Sequence, residues 1–139
     1  MHKQLYKSKN KQQIDLRNYL FDVHFSFSDI FNENKIQSNI SVVSILVKID
    51  YALYFGLILT ELYINSIKHA FTNQENKEIN FILKIEENQI QFYYKDNGNS
   101  ILTETIPKPK LIHQLCRQLE VDCCIENKSG FQFTFTKSL

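Results

Sequence analysis

Glu61, Asn65, Lys68 and His69 place a carboxylate, an amide, an ammonium and an imidazole in one short, otherwise apolar segment, Glu-Leu-Tyr-Ile-Asn-Ser-Ile-Lys-His-Ala-Phe. Polar groups on a buried helix need partners or water. At 100° per residue, Glu61, Asn65 and His69 follow one another at about 40°, with Lys68 beside Glu61, so all four fall within an arc of roughly 100°. Leu59, Leu62, Tyr63, Ile64, Ile67, Ala70 and Phe71 cover most of the rest. The polar line must face a cleft, a ligand or another chain. A surface helix with a polar stripe is the ordinary alternative, but the residue types weigh against it. An acid and an amide one turn apart suit a hydrated Mg²⁺, a hard cation that takes oxygen ligands and keeps several waters. A lysine and a histidine one turn further on suit phosphate oxygens. A triphosphate along the line would satisfy both pairs.

A second group of residues lies in Tyr-Tyr-Lys-Asp-Asn-Gly-Asn-Ser. Asp96 closes an alternating run and could accept a hydrogen bond from an exocyclic amine. Gly98 would let a flat base approach the backbone. Asp-x-Gly alone is also a common turn, so its weight comes from the pairing with the polar line.

The elements that must position these groups follow from hydrophobic period. Residues 1–13 read as a linker or the end of an upstream helix, with a solvated basic cluster at Lys3, Lys7, Lys9 and Lys11. Leu16, Leu20, Val23, Phe27, Ile30 and Phe31 predict a helix over 15–33 capped by Asp15. Ile36, Ser38, Ile40 and Val42 alternate as a strand, and Ser-Ile-Leu-Val-Lys is a short second one. A long helix is expected from Asp50, as its cap, to about Phe71. Residues 79–85 and 90–94 form a hairpin with Glu87-Asn88 at its tip. Leu111, Leu115 and Leu119 mark an amphipathic helix, and 121–127 and 131–137 are the last two strands. This order predicts one domain over 14–139: an α/β (α+β) two-layer sandwich. Three helices would pack on one face of a mostly antiparallel, mixed sheet of five or six strands.

Composition narrows the function classes. The chain has 139 residues and a net charge of +1, which gives no electrostatic case for nucleic acid or a membrane surface. No apolar run is long enough to span a bilayer, and no signal-peptide pattern is present. The three cysteines include an adjacent pair and no CxxC spacing. Buried, reduced thiols in a cytoplasmic protein are expected, rather than a disulfide framework or a zinc site.

The segment Leu-Ile-Leu-Thr-Glu-Leu-Tyr-Ile-Asn-Ser-Ile-Lys-His-Ala-Phe resembles the N box of the Bergerat-fold (GHKL) ATPases. Its Lys-His-Ala-Phe ending most resembles sensor histidine kinases of the HisKA_2 and HWE type. The Asp96 segment resembles their G1 box, and the resemblance covers about residues 14–137. It implies the catalytic domain of a two-component sensor histidine kinase, binding ATP and Mg²⁺ and passing the γ-phosphoryl group to a histidine. Asn65 would coordinate Mg²⁺, and Glu61 would be the N-box acid. Lys68 and His69 would lie beside the phosphates. Asp96 would bind the adenine amine, with Gly98 and Gly130 lining the nucleotide. The implied partners are a dimerising, phosphoacceptor helical region and a response regulator.

The chain departs from that family in one direction. Ser100 stands where the G1 box carries another glycine, and Pro109-Lys110 replaces the glycine turn that ends the lid. Proline removes an amide donor and cannot imitate a glycine nest around phosphates. The segment 101–107 is shorter than the family's lid, and Phe131 replaces a threonine whose hydroxyl supports the Asp and adenine. Weak nucleotide binding, or a lid completed by a partner, is therefore expected. Two other functions fit the same fold: a non-catalytic module docking a response regulator or phosphotransfer helix, and an anti-sigma-factor serine kinase. His69 belongs to the N box, His24 reads as a packed core or edge histidine, His113 as an exposed one and His2 as part of the polar tail, so the receiving histidine is expected on a separate region.

Overall fold

The computed structural model describes residues 12–99, 110–127 and 129–139. Strand β1 (Gln13–Asp15) leads into helices α1 (Leu16–Phe25) and α2 (Ser28–Glu33), then strands β2 (Ile36–Val42) and β3 (Leu46–Lys48). Helix α3 (Ile49–Asn65) continues as a π-helical turn over Ser66–Ala70. Hairpin strands β4 (Lys77–Glu86) and β5 (Gln89–Asp96), helix α4 (Lys110–Gln118), and strands β6 (Cys124–Asn127) and β7 (Phe131–Ser138) complete the order.

The main sheet has five strands in the order β2-β4-β5-β7-β6. Only β2 and β4 pair in parallel, with Ile40 opposite Phe81; the other neighbours are antiparallel. The expected mixed, mostly antiparallel sandwich is therefore present. The short strand β3 lies outside this sheet and pairs with β1, Gln13 opposite Lys48. Of the linker expected over 1–13, residues 1–11 lie outside the described residues, and Gln13 already belongs to a strand.

Alternation explains the layers. Ile79, Phe81 and Leu83 of β4, Ile90, Phe92 and Tyr94 of β5, and Phe133 and Phe135 of β7 all point to the helix side and are buried. Phe92 and Phe135 stack there with centroids 4.6 Å apart. Leu16 and Leu20 of α1, Phe55, Leu59, Leu62 and Tyr63 of α3, and Ile112, Leu115 and Leu119 at α4 close the same core.

Local chemistry explains where the expected helices differ. Asp15 caps α1 by accepting from the Arg17 N–H at 3.0 Å, but the helix over 15–33 breaks in two at Ser26 and Phe27. Helix α3 starts one residue before Asp50, whose side chain therefore lies in the first turn and makes no cap. On α4 the buried face is Ile112, Leu115 and Cys116, with Leu119 just beyond, whereas Leu111 remains 44% exposed. The tip of the β4–β5 hairpin is Glu87-Asn88, both in the left-handed region, as a two-residue hairpin turn requires.

Candidate functional site

Helix α3 is apolar on the sheet side, so packing against β5 fixes its rotation and leaves one edge for polar groups. Glu61 and Asn65 are half-buried on that edge, and Lys68 and His69 are exposed. The regular 100° spacing does not hold throughout. Residues 66–70 form a π turn, which widens the helix and re-aims Lys68 and His69 relative to Glu61 and Asn65. Among the described residues, none of the four makes a hydrogen bond or ion pair. Their donors and acceptors remain available for something other than this fold.

Asp96 is the opposite case. It ends β5 on the core side of the sheet and is 2% exposed. Its Oδ1 accepts from the backbone N–H of Gly98 at 2.9 Å and of Phe131 at 3.1 Å. Its Oδ2 accepts from the Ser66 hydroxyl at 2.7 Å. Three donors thus hold a buried carboxylate in one orientation, and among the described residues Oδ2 accepts only from Ser66. The Tyr94 hydroxyl lies 2.7 Å from Ser66 Oγ and 3.1 Å from the Leu62 carbonyl oxygen, tying α3 to the same point. Burial drives the Tyr94 phenol well above its usual range, so it acts here as a neutral donor.

Ser66 was not singled out by sequence. The hydroxyl expected to be lost with Phe131 reaches Asp96 from the helix side instead, while Phe131 contributes its backbone N–H. The only available signal was the position of Ser66 immediately after Asn65, too weak to act on alone.

Backbone packing requires the two glycines here. A Cβ on Gly98 would lie 2.5 Å from the Ala70 carbonyl oxygen, so glycine lets the Asp96 loop close against the π turn. Gly130 has φ +118°, and a Cβ there would lie 1.9 Å from the Asp96 carbonyl oxygen. Asp96, Gly98 and Gly130 are therefore packed together against the end of the polar helix. No hydrogen bond joins Asp96 to Glu61, Asn65, Lys68 or His69. Their connection is through sequence neighbours: Ser66 beside Asn65, and Ala70 beside His69.

A clasp of amide side chains fixes the loop after Asp96. Asn99 accepts from the Thr72 N–H at 3.0 Å and donates to the Thr72 carbonyl at 2.9 Å. Gln74 accepts from the Asn99 N–H at 2.9 Å and donates to the Asn97 carbonyl at 2.8 Å. Asn97 Oδ1 accepts from the Glu78 N–H at 2.7 Å. Ser100, Pro109 and the segment 101–107 lie outside the described residues.

The donor set fits the groups considered for it. A half-buried amide and a carboxylate with no internal partners suit a cation that brings its own waters and phosphates. No cluster of three or more His, Cys, Asp or Glu side chains able to hold a metal occurs among the described residues, so a metal here would depend on a nucleotide for most of its ligands. A concavity of about 520 Å³ lies elsewhere, on the open face of the sheet, lined by Ile82, Gln91, Tyr93, Thr134 and Thr136 among others. It offers no oriented buried carboxylate and no glycine-lined approach.

No protein-family profile and no curated protein matches the sequence. Solved structures do. The histidine kinase domain of an Erythrobacter litoralis blue-light activated histidine kinase superposes with a TM-score of 0.82 at 19% identity, over 91% of this chain and 62% of that one. The longer Erythrobacter litoralis blue-light activated histidine kinase structure gives 0.81 at 19% identity, over 91% and 42%. The catalytic domain of histidine kinase ThkA gives 0.70 at 16% identity, over 91% and 95%. The chain thus spans less than two thirds of the first two structures and nearly all of a catalytic domain. No helix among the described residues is long and apolar enough to cross a membrane. The five-stranded mixed sheet, its helical layer and these superpositions together show that the chain has the fold of histidine kinase catalytic domains.

Proposed function

We propose that the chain is the ATP-binding catalytic domain of a two-component sensor histidine kinase, of the HisKA_2 or HWE type, working in the cytoplasm. The observation that carries this reading is the contrast at one place: a buried carboxylate held by three donors, beside a helix edge whose polar groups have no internal partners. Asp96 accepts a hydrogen bond from the exocyclic amine of adenine at Oδ2, beside the Ser66 hydroxyl. Asn65 would supply an oxygen ligand to Mg²⁺, and Glu61 would orient a water or assist proton transfer. Lys68 and His69 lie along the phosphates, and Gly98 and Gly130 bring backbone close to the nucleotide. Bound Mg²⁺-ATP supplies the γ-phosphoryl group and the charge neutralisation for its transfer. The protein contributes position and electrostatics. The receiving histidine sits on a separate dimerising helical region, and a response regulator takes the phosphoryl group afterwards.

Calorimetric titration with Mg²⁺-ATP and Mg²⁺-GTP tests the reading. Guanine carries a carbonyl oxygen where adenine carries the amine, so Asp96 favours ATP and Asp96→Asn narrows the preference. Equal affinities for the two nucleotides, unchanged in the variant, would remove Asp96 from the role. Because Ser100 and Pro109 replace lid glycines, ATP binding is weaker than micromolar. Sub-micromolar affinity of the isolated chain would contradict that expectation. The same replacements favour one second reading, a degenerate module that docks a response regulator or phosphotransfer helix. That reading requires no nucleotide binding at all and a protein partner instead.

A further inference from the structure

Outside the Asp96 region, nucleophilic and titratable side chains gather where α4 turns back toward β6. Glu120 adopts a left-handed conformation, φ 58°, and the Val121 N–H donates to the Cys116 carbonyl at 3.0 Å. The reversal lays Cys123 against the part of α4 that carries His113 and, one turn on, Cys116. Cys123 Sγ lies 3.6 Å from His113 Nδ1. Cys116 is buried, and its thiol is pushed up to about 12, by burial first and then by the nearby Cys123 thiol. Cys123 is half-buried and His113 exposed, so a small solute can reach the pair. Cys124, the next residue, lines the concavity on the open face of the sheet. All three thiols are free.

We propose that Cys123 and Cys116 form a peroxide-responsive dithiol, with His113 as the base that activates Cys123. The Cys123 thiol proton passes to His113 Nδ1, and the thiolate attacks one oxygen of hydrogen peroxide. The O–O bond breaks as the S–O bond forms, and the departing hydroxide takes the imidazolium proton and leaves as water. Cys123 is then a sulfenic acid. Cys116 attacks the Cys123 sulfur, the S–O bond breaks, and hydroxide leaves with the Cys116 proton as a second water. The two sulfurs lose two electrons in total, which reduce one peroxide to two waters. The order of the thiols follows from their surroundings: Cys123 is half-buried beside the His113 imidazole, whereas Cys116 is buried and meets peroxide second. The resulting link ties α4, which packs on α3, to the start of β6, so the helix beside the polar line reads the oxidation state.

The test uses the full reduced chain with an equimolar amount of hydrogen peroxide. The expected product is monomeric, lighter by two hydrogens, with Cys116 and Cys123 joined in the peptide map. Cys116→Ser should stop at a sulfenic acid on Cys123 that a dimedone probe captures. His113→Ala, at an exposed position, should slow capture about tenfold, because the base that takes the Cys123 proton is lost. Cys124→Ser should leave the product and rate unchanged. Oxidation starting at Cys124, a disulfide between chains, or equal capture rates with and without the His113 imidazole would overturn the proposal.

Discussion

The two halves of the site are built on opposite plans. Around Asp96 the fold supplies the partners: Ser66 from the helix, Gly98 from the loop and Phe131 from β7 converge on one buried carboxylate. Along the exposed edge of α3 the fold supplies none, and Glu61, Asn65, Lys68 and His69 make no hydrogen bond or ion pair among the described residues. The first region spends its polar groups on holding its own geometry, and the second keeps them for a ligand. Substitutions should therefore cost stability in the first region and binding in the second.

The largest stability effect is expected for Asp96→Ala. It leaves the Gly98 and Phe131 N–H groups without their acceptor and the Ser66 hydroxyl with only Tyr94, and should destabilise by about 3 kcal/mol in urea denaturation. A loss below about 0.5 kcal/mol would mean that water already serves these donors. Ser66→Ala removes one donor from Asp96 and a neighbour from Tyr94, and should cost about 1–2 kcal/mol while weakening nucleotide binding. Unchanged binding would show that Asp96 is held well enough by the two backbone donors.

A smaller, pH-dependent effect belongs to His24, which lies away from both regions. Its Nδ1 is 2.8 Å from the Tyr63 hydroxyl and 3.5 Å from that of Ser38, with Phe25 and Phe31 around the ring. Burial lowers its pKa below the ordinary value of 6.5. The folded state thus prefers the neutral ring, and its contribution is complete above the unfolded pKa and is lost as pH falls through the folded one. Thermal stability should drop on acidification below about pH 6.5, and less so in His24→Gln. Parallel curves for the two proteins would contradict this. The smallest stability change, within about 0.5 kcal/mol, is expected for Asn65→Ala, which should nevertheless abolish Mg²⁺-dependent nucleotide binding. A large drop in melting temperature with binding intact would reverse the assignment of the two regions.

Much of the fold was legible because its signals are local or periodic. Alternation in β4, β5 and β7 gave the sheet face, and the Glu87-Asn88 tip gave the hairpin. Asp96 and Gly98 stood out as an Asp-x-Gly after a strand run. The Ser66 contact was not legible, because a single serine in an apolar helix carries no sign of a partner thirty residues away. Nor was the π turn, because the residue pattern over 66–70 carries no mark of a wider turn. The break at Ser26 and Phe27 has no glycine or proline to mark it. The amide clasp of Gln74, Asn97 and Asn99 depends on long-range pairing that only the fold creates. Leu111 shows the limit of a periodic argument: its i, i+4 spacing matched the buried leucines, but it lies at the exposed margin of α4.

Amide NMR during a Mg²⁺-ATP titration tests the two-region account most directly, because the Gly98 and Phe131 N–H groups both report on Asp96 Oδ1. Both resonances and the Asn65 side-chain amide should shift together with one saturation curve. Shifts confined to the open sheet face around Tyr93, with Gly98, Phe131 and Asn65 unmoved at saturation, would contradict the account.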